Sequence, residues 1–243
     1  MTTFKDLGVH GNYIKALKEL QIKIPTEIQE KTIPVLLKTK TDYIGLAQTG
    51  TGKTAAYGLP VLNSIDTNSA VVQALILSPT RELVQQIKKQ LFKFTKFNEE
   101  KIFVEAVYGG EKIEKQMQRL QRPTHIIVAT PGRLIDLIEK GNVNLRSIKT
   151  VVLDEADEML SMGFKKELDA ILNYTSGSRN TWLFSATMPE EILRIISKYM
   201  EPSAVKVSVN KESLVNANIS HQYLITSIKE KTTVVSQLLD KFN

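Results

Sequence analysis

Lys53 and Thr54 close the glycine-bearing stretch Ala47-Gln48-Thr49-Gly50-Thr51-Gly52, and some hundred residues later Asp154 and Glu155 open the acidic string completed by Ala156 and Asp157. Gly50 and Gly52 allow a tight backbone turn in which successive N–H groups point inward at phosphate oxygens. Lys53 supplies a point charge for β- and γ-phosphates, and Thr54 a hydroxyl ligand for magnesium. A helix expected to begin near Lys53 adds the positive end of its dipole. Asp154 ends the apolar run Thr150-Val151-Val152-Leu153, and a carboxylate leaving a buried strand is costly without a cation, which links it to magnesium. Glu155, one residue on, is placed to take a proton from an attacking water. An acid at a helix start also serves as a dipole partner, which explains one carboxylate more readily than three in four positions. The two stretches together describe a site for a nucleoside triphosphate, magnesium and a hydrolytic water.

These residues need a scaffold, and the pattern around them supplies one. Apolar, β-branched runs recur at 43–46, 74–77, 103–107, 125–129, 151–153, 182–184 and 205–207. Most read as strands buried on both faces, as in a parallel sheet. Between them lie amphipathic stretches such as 83–97, with Leu83, Ile87, Leu91 and Phe94 at helical spacing. The alternation predicts an α/β fold: a doubly wound, mostly parallel sheet with helices on both faces. Six polar or glycine-bearing segments each follow a predicted strand: 47–54, 79–82, 109–110, 130–133, 154–155 and 185–187. Ligands of open α/β sheets bind outside the carboxyl ends of the strands, so these segments should line one surface.

The chain of 243 residues suffices for one large α/β domain and part of another. It contains no cysteine, which excludes disulfides and thiolate metal sites and fits a cytoplasmic setting. No run of about 18 apolar residues suggests a membrane span. A net charge of +6 permits an anionic partner without requiring one. His10, His125 and His221 show no metal-ligand spacing; Trp182 reads as strand core, and Lys88-Lys89 and Lys165-Lys166 as solvated helix faces. After Val209 the pattern weakens. Residues 210–218 read as a linker, 219–225 as a strand and 229–242 as a helix. A strand–helix unit cannot bury its own apolar face, so 219–243 is expected to open a second domain, packing back on the first being the alternative.

Other segments are ambiguous on their residues alone. Pro25-Thr26 looks like a helix start, with Gln29 one turn in, either a surface amide on a capped helix or a partner for an adenine edge. Arg81 and Glu82 read equally as an exposed pair at a helix start or, for Arg81, as a phosphate contact. Ser185-Ala186-Thr187 is a polar turn after a strand.

With these residues laid out, the chain resembles the amino-terminal RecA-like half of the DEAD-box ATP-dependent RNA helicases, of the bacterial type. The resemblance runs from about Phe4 to Val209, and Asp154-Glu155-Ala156-Asp157 is the string that gives the family its name. It implies an adenine-recognition region over residues 1–32, with Thr26 and Gln29 at the nucleotide, followed by an ATP-binding domain over 33–209. It implies ATP and Mg2+ as cofactors, with Ala47, Gln48, Thr49, Gly50, Thr51, Gly52, Lys53 and Thr54 around the phosphates. Thr54 and Asp154 hold the metal, largely through water, and Glu155 is the catalytic base. Single-stranded RNA contacts are implied for Pro79, Thr80, Arg81 and Glu82, for Gly109 and Gly110, and for Thr130, Pro131, Gly132 and Arg133. Such contacts read backbone and sugar rather than base sequence. Ser185, Ala186 and Thr187 resemble the element that couples hydrolysis to strand separation. The family usually carries an aromatic residue where this chain has Ile22, which implies nucleotide affinity weaker by about 1 kcal/mol. Its arginine finger and half of its RNA surface belong to a second RecA-like domain, so 1–243 alone is expected to hydrolyse ATP feebly and not to unwind RNA. An RNA clamp without unwinding and a DNA-stimulated ATPase are the competing expectations.

Overall fold

Seven short strands form one sheet in which every neighbouring pair is parallel. They are β1 (Tyr43–Leu46), β2 (Ala74–Leu77), β3 (Val104–Val107), β4 (Ile126–Ala129), β5 (Thr150–Leu153), β6 (Asn180–Ser185) and β7 (Val205–Ser208), in the spatial order β3-β4-β2-β5-β6-β1-β7. The structure is a computed structural model that describes residues 2–175, 177–209 and 223–242. It divides into two units, Met1–Val209 and Asn210–Asn243.

Strand residues alternate between two apolar layers because side chains one apart point to opposite faces. Tyr43, Ile76, Val128, Val152 and Phe184 face one layer, and Ile44, Leu77, Ile127, Leu153 and Leu183 the other. The first layer is covered by α1 (Gly11–Glu19), α2 (Glu27–Lys38), α3 (Lys53–Asn63) and α4 (Arg81–Phe94). The second is covered by α5 (Ile113–Leu120), α6 (Pro131–Glu139), α7 (Ala156–Ser161), α8 (Lys165–Tyr174) and α9 (Glu190–Tyr199). The doubly wound arrangement read from the sequence is therefore the one observed. β2, β4 and β5 are buried along their full length, whereas the edge strands β3 and β7 are only partly buried.

Boundaries shift for local reasons. The helix expected at 83–97 begins at Arg81 because Thr80 caps it, its Oγ1 accepting the Leu83 N–H at 3.3 Å, and it ends at Phe94. Phe103 lies just before β3, its N–H donating to His125 Nδ1 at 3.2 Å and its carbonyl accepting from the His125 N–H. His125 is thus a core residue, its imidazole pushed below the ordinary range by burial.

In the second unit, α10 (Lys231–Phe242) matches the expected helix. The predicted linker at 210–218 and the first part of the predicted strand at 219–225 lie outside the described residues. Tyr223, Leu224 and Ile225 are not in a strand; a lone strand has no neighbour to complete its hydrogen bonds.

Gly45 marks where the sheet leaves no room. A Cβ there would fall 2.7 Å from the Phe184 ring. Gly45→Ala is expected to destabilise the protein by about 1–3 kcal/mol through overpacking, read as a lowered urea midpoint; an unchanged midpoint would show that Phe184 moves aside freely.

Candidate nucleotide site and nucleic-acid face

All six chemistry-bearing segments leave carboxyl ends of parallel strands, so they share one rim of the sheet. β6 lies between β1 and β5, which sets the phosphate loop and the acidic string about 10 Å apart, two strand spacings. α3 returns from that loop and closes the distance.

The loop itself is built on left-handed backbone at Gly50 (φ 76°) and Gly52 (φ 94°), and Gly52 caps α3. Thr51 Oγ1 donates to the Gln48 carbonyl at 2.7 Å, fixing the turn. Lys53 is the first residue of α3; its ammonium, buried to 6% exposure, donates to the Ala47 carbonyl at 3.2 Å. The amino-terminal region clasps the loop from outside. Thr26 caps α2 and its hydroxyl donates to the Thr51 carbonyl at 2.8 Å. Gln29, 3% exposed, accepts the Thr26 N–H at 3.0 Å and donates to the Gly52 carbonyl at 3.0 Å. The surface reading of Gln29 is thereby corrected: a buried amide needs partners, and here they are the α2 cap and the loop. A Cβ on Gly52 would meet that amide at 2.4 Å.

Across the cleft, Asp154 follows β5 and is 6% exposed. Burial pushes its carboxyl above the ordinary range, opposed by the charge of Lys53 and a hydrogen bond from Tyr57. Oδ2 accepts the Tyr57 hydroxyl at 2.9 Å, whereas Oδ1 is buried with no partner. Glu155 adopts a left-handed conformation (φ 52°) at the start of α7, shared by only one other non-glycine among the described residues, Gln21. Strain of this kind persists where surrounding structure enforces it. Its carboxyl is raised by burial and then by the charge of Asp154, a shift that makes it a stronger proton acceptor than a free carboxylate. A cleft of about 410 Å3 is lined by Ile22, Thr26, Gln29, Lys53, Asp154 and Glu155, among others. Thr49, Gly50, Gly52 and Thr54 line it too.

The third acid of the string has a different duty. Asp157 Oδ2 accepts both the Thr187 N–H at 2.9 Å and its hydroxyl at 2.7 Å, while Ser185 Oγ donates to the Thr187 carbonyl at 2.7 Å. Ser185-Ala186-Thr187 is thus bound to the acidic string rather than being a free turn.

On the neighbouring rim, Arg81 is exposed, its guanidinium 5.3 Å from the Tyr108 ring centroid. A Cβ on Gly110 would approach Arg81 Nη1 at 3.1 Å. Arg133 donates through Nη1 to the carbonyls of Tyr108 at 3.1 Å and Glu111 at 2.9 Å. Its guanidinium therefore braces the Gly109-Gly110 loop. Gln116, fully buried, completes the brace with two hydrogen bonds to the Tyr108 backbone. Sequence reasoning missed Gln116, Tyr108 and Tyr57; for the last the signal was present, since Tyr57 is one helical turn beyond Lys53.

Residues 26–195 match the DEAD/DEAH box helicase family, and these span well over half of the chain. The chain belongs to the DEAD/DEAH box helicase family. Two bacterial family members named DEAD-box ATP-dependent RNA helicase CshA are similar along almost all of it. The protein of Geobacillus kaustophilus is 46% identical over 99% of this chain and 50% of its own length. That of Streptococcus pneumoniae is 43% identical over 98% of the chain and 44% of its own. The chain thus spans about half the length of these curated relatives. Among solved DEAD-box structures, a protein from Methanococcus jannaschii superposes with a TM-score of 0.82 at 36% identity, covering 98% of this chain and 63% of that one. The yeast splicing factor Prp28 gives 0.81 at 31% identity, over 99% and 59%. The RecA-like fold expected from the sequence is the one these helicases share.

Hydrogen bonds set the charge of Asp157. Burial alone would raise its carboxyl, but the bonds from the Thr187 hydroxyl and N–H hold it below the ordinary carboxylate range. A depressed carboxyl contributes stability that is complete above its unfolded value and lost as pH falls through the folded one. Asp157→Asn is expected to lower the urea midpoint at pH 7, the deficit shrinking as pH falls below the ordinary carboxylate range. A deficit independent of pH would show that the carboxylate charge does not secure Thr187.

Proposed function

We propose that this chain is the nucleotide-binding half of an ATP-dependent RNA helicase that works in the cytoplasm with a second RecA-like domain. The observation that carries the reading is the buried, unpartnered Oδ1 of Asp154, in one cleft with Lys53, Thr54 and Glu155. A carboxylate oxygen left in this state is suited to a cation that arrives with the substrate. Among the described residues no cluster of three or more acidic or histidine side chains could cage an ion by itself. The donor set instead fits magnesium, which keeps several waters and takes its other ligands from substrate phosphates. Thr54 and Asp154 would hold it, and bound there it would neutralise charge on the phosphates.

The chain's own groups then have distinct duties. Backbone N–H groups from Gly50 to Thr54 and the Lys53 ammonium cradle the phosphates. Glu155 accepts the proton of the attacking water. Gln29 has one donor and one acceptor site left after its bonds to Gly52 and Thr26, the complement an adenine edge offers. Ile22 lines the same cleft as an aliphatic contact for the base. The rim formed by 79–82, 109–110 and 130–133 supports RNA backbone binding through exposed Arg81, the open backbone of Gly109 and Gly110, and the start of α6 at Thr130-Pro131-Gly132. The Asp157–Thr187 bond gives a direct mechanical link between the hydrolytic string and 185–187.

Two outcomes test this. Single-stranded RNA is expected to stimulate ATP hydrolysis by the longer protein more than DNA of the same sequence does, and Glu155→Gln to slow hydrolysis by about 10²–10⁴-fold with ATP binding retained; equal stimulation by DNA would favour a DNA-stimulated ATPase. Gln29→Ala is expected to weaken ATP binding by about tenfold or more and to abolish discrimination against GTP, measured by competition with a fluorescent nucleotide. Discrimination retained in that variant would overturn the adenine role.

A further inference from the structure

Tyr57 lies on α3 one turn beyond Lys53 and is fully buried. Its ring packs against Phe184 of β6 at 5.2 Å between centroids, and Phe184 packs in turn on Tyr43 of β1 at 5.7 Å. Shape alone would be satisfied by a phenylalanine at this position. The hydroxyl is therefore the informative atom, because a buried hydroxyl is costly unless it is used. It donates to Asp154 Oδ2 at 2.9 Å, from a position three residues beyond Thr54 on α3. The phenol oxygen thus bonds one of the two residues that the proposed function assigns to magnesium.

We propose that Tyr57 is a positioning residue for the metal–nucleotide site. Holding Oδ2 fixes the rotation of the Asp154 carboxylate and leaves Oδ1, which has no other partner, as the oxygen offered to the cation. The bond also keeps the carboxylate from turning toward Lys53, the cation that already acts on it, and so preserves Lys53 for phosphate. Through the same bond the start of α3 is held against the end of β5. The ring stack on Phe184 and Tyr43 supplies the rigidity, since it anchors the phenol to β6 and β1, on the side of β5 nearer the phosphate loop. Asp154 is oriented by this bond rather than by backbone geometry alone.

The inference rests on the nucleotide reading, and its test separates the two. A fluorescent ADP is titrated into this chain with excess Mg2+ and again with EDTA, for wild type and Tyr57→Phe. Wild type is expected to bind more tightly with the metal. Tyr57→Phe is expected to keep the metal-free affinity within about twofold while its gain from Mg2+ falls about five- to tenfold, the loss of one hydrogen bond to a charged group. An undiminished gain from Mg2+ would overturn the proposal. So would affinity weakened equally in both conditions, because that would mark Tyr57 as a packing residue only. Should wild type show no gain from Mg2+ at all, the nucleotide reading itself fails, and this inference with it.

Discussion

Burying a carboxylate costs several kcal/mol unless hydrogen bonds and a cation compensate it, and Asp154 is compensated on one oxygen only. That imbalance organises the rest of the cleft. Lys53 acts on the charge from across the gap, Tyr57 holds one oxygen, and the other oxygen is buried without a hydrogen-bond partner. Six neighbouring strand pairs, all parallel, make such an arrangement possible, because every strand delivers its loop to the same rim. The order β5-β6-β1 then leaves room between the two decisive loops for a phosphate chain and its ion.

The loops on this rim are not independent. Gln29 and Thr26 fasten the phosphate loop to α2; Asp157 fastens 185–187 to the acidic string; Arg133 and Gln116 fasten the Gly109-Gly110 loop to α6 and α5. Each connection ends on a backbone carbonyl or N–H group, so a shift in one loop is passed to the backbone of its neighbour rather than absorbed by a side chain. A change at the phosphates therefore has a physical route through Asp157 to Thr187. On the neighbouring rim the half-buried Arg133 serves as a brace, while Arg81 is exposed.

Much of this was legible in the sequence. The seven strands, the alternation with helices and the six loop segments follow from runs of two-faced apolar residues broken by glycine and polar turns, and Lys53, Asp154 and Glu155 stand out because their chemistry has few other uses in that pattern. What could not be read were the long-range side-chain bonds. Nothing near Gln29 in sequence indicates that Gly52 is its partner, nor that Arg133 points at Tyr108 rather than outward, because these depend on register between distant elements. Gln116 looked like any polar residue of a surface helix, yet it is fully buried against a backbone turn. Tyr57 was within reach, since i and i+4 share a helix face, but its partner is fixed only once α3 is laid under β5.

The central claim is that the phosphate loop and the acidic string share one metal–triphosphate pocket. A crystal structure of this chain with a non-hydrolysable ATP analogue and Mn2+ in place of Mg2+, located by its anomalous signal, tests it most directly. A single ion is expected in the cleft beside Thr54 and Asp154, with the triphosphate seated in the 47–54 loop. An ion bound away from Asp154, or a triphosphate seated outside the 47–54 loop, would contradict it.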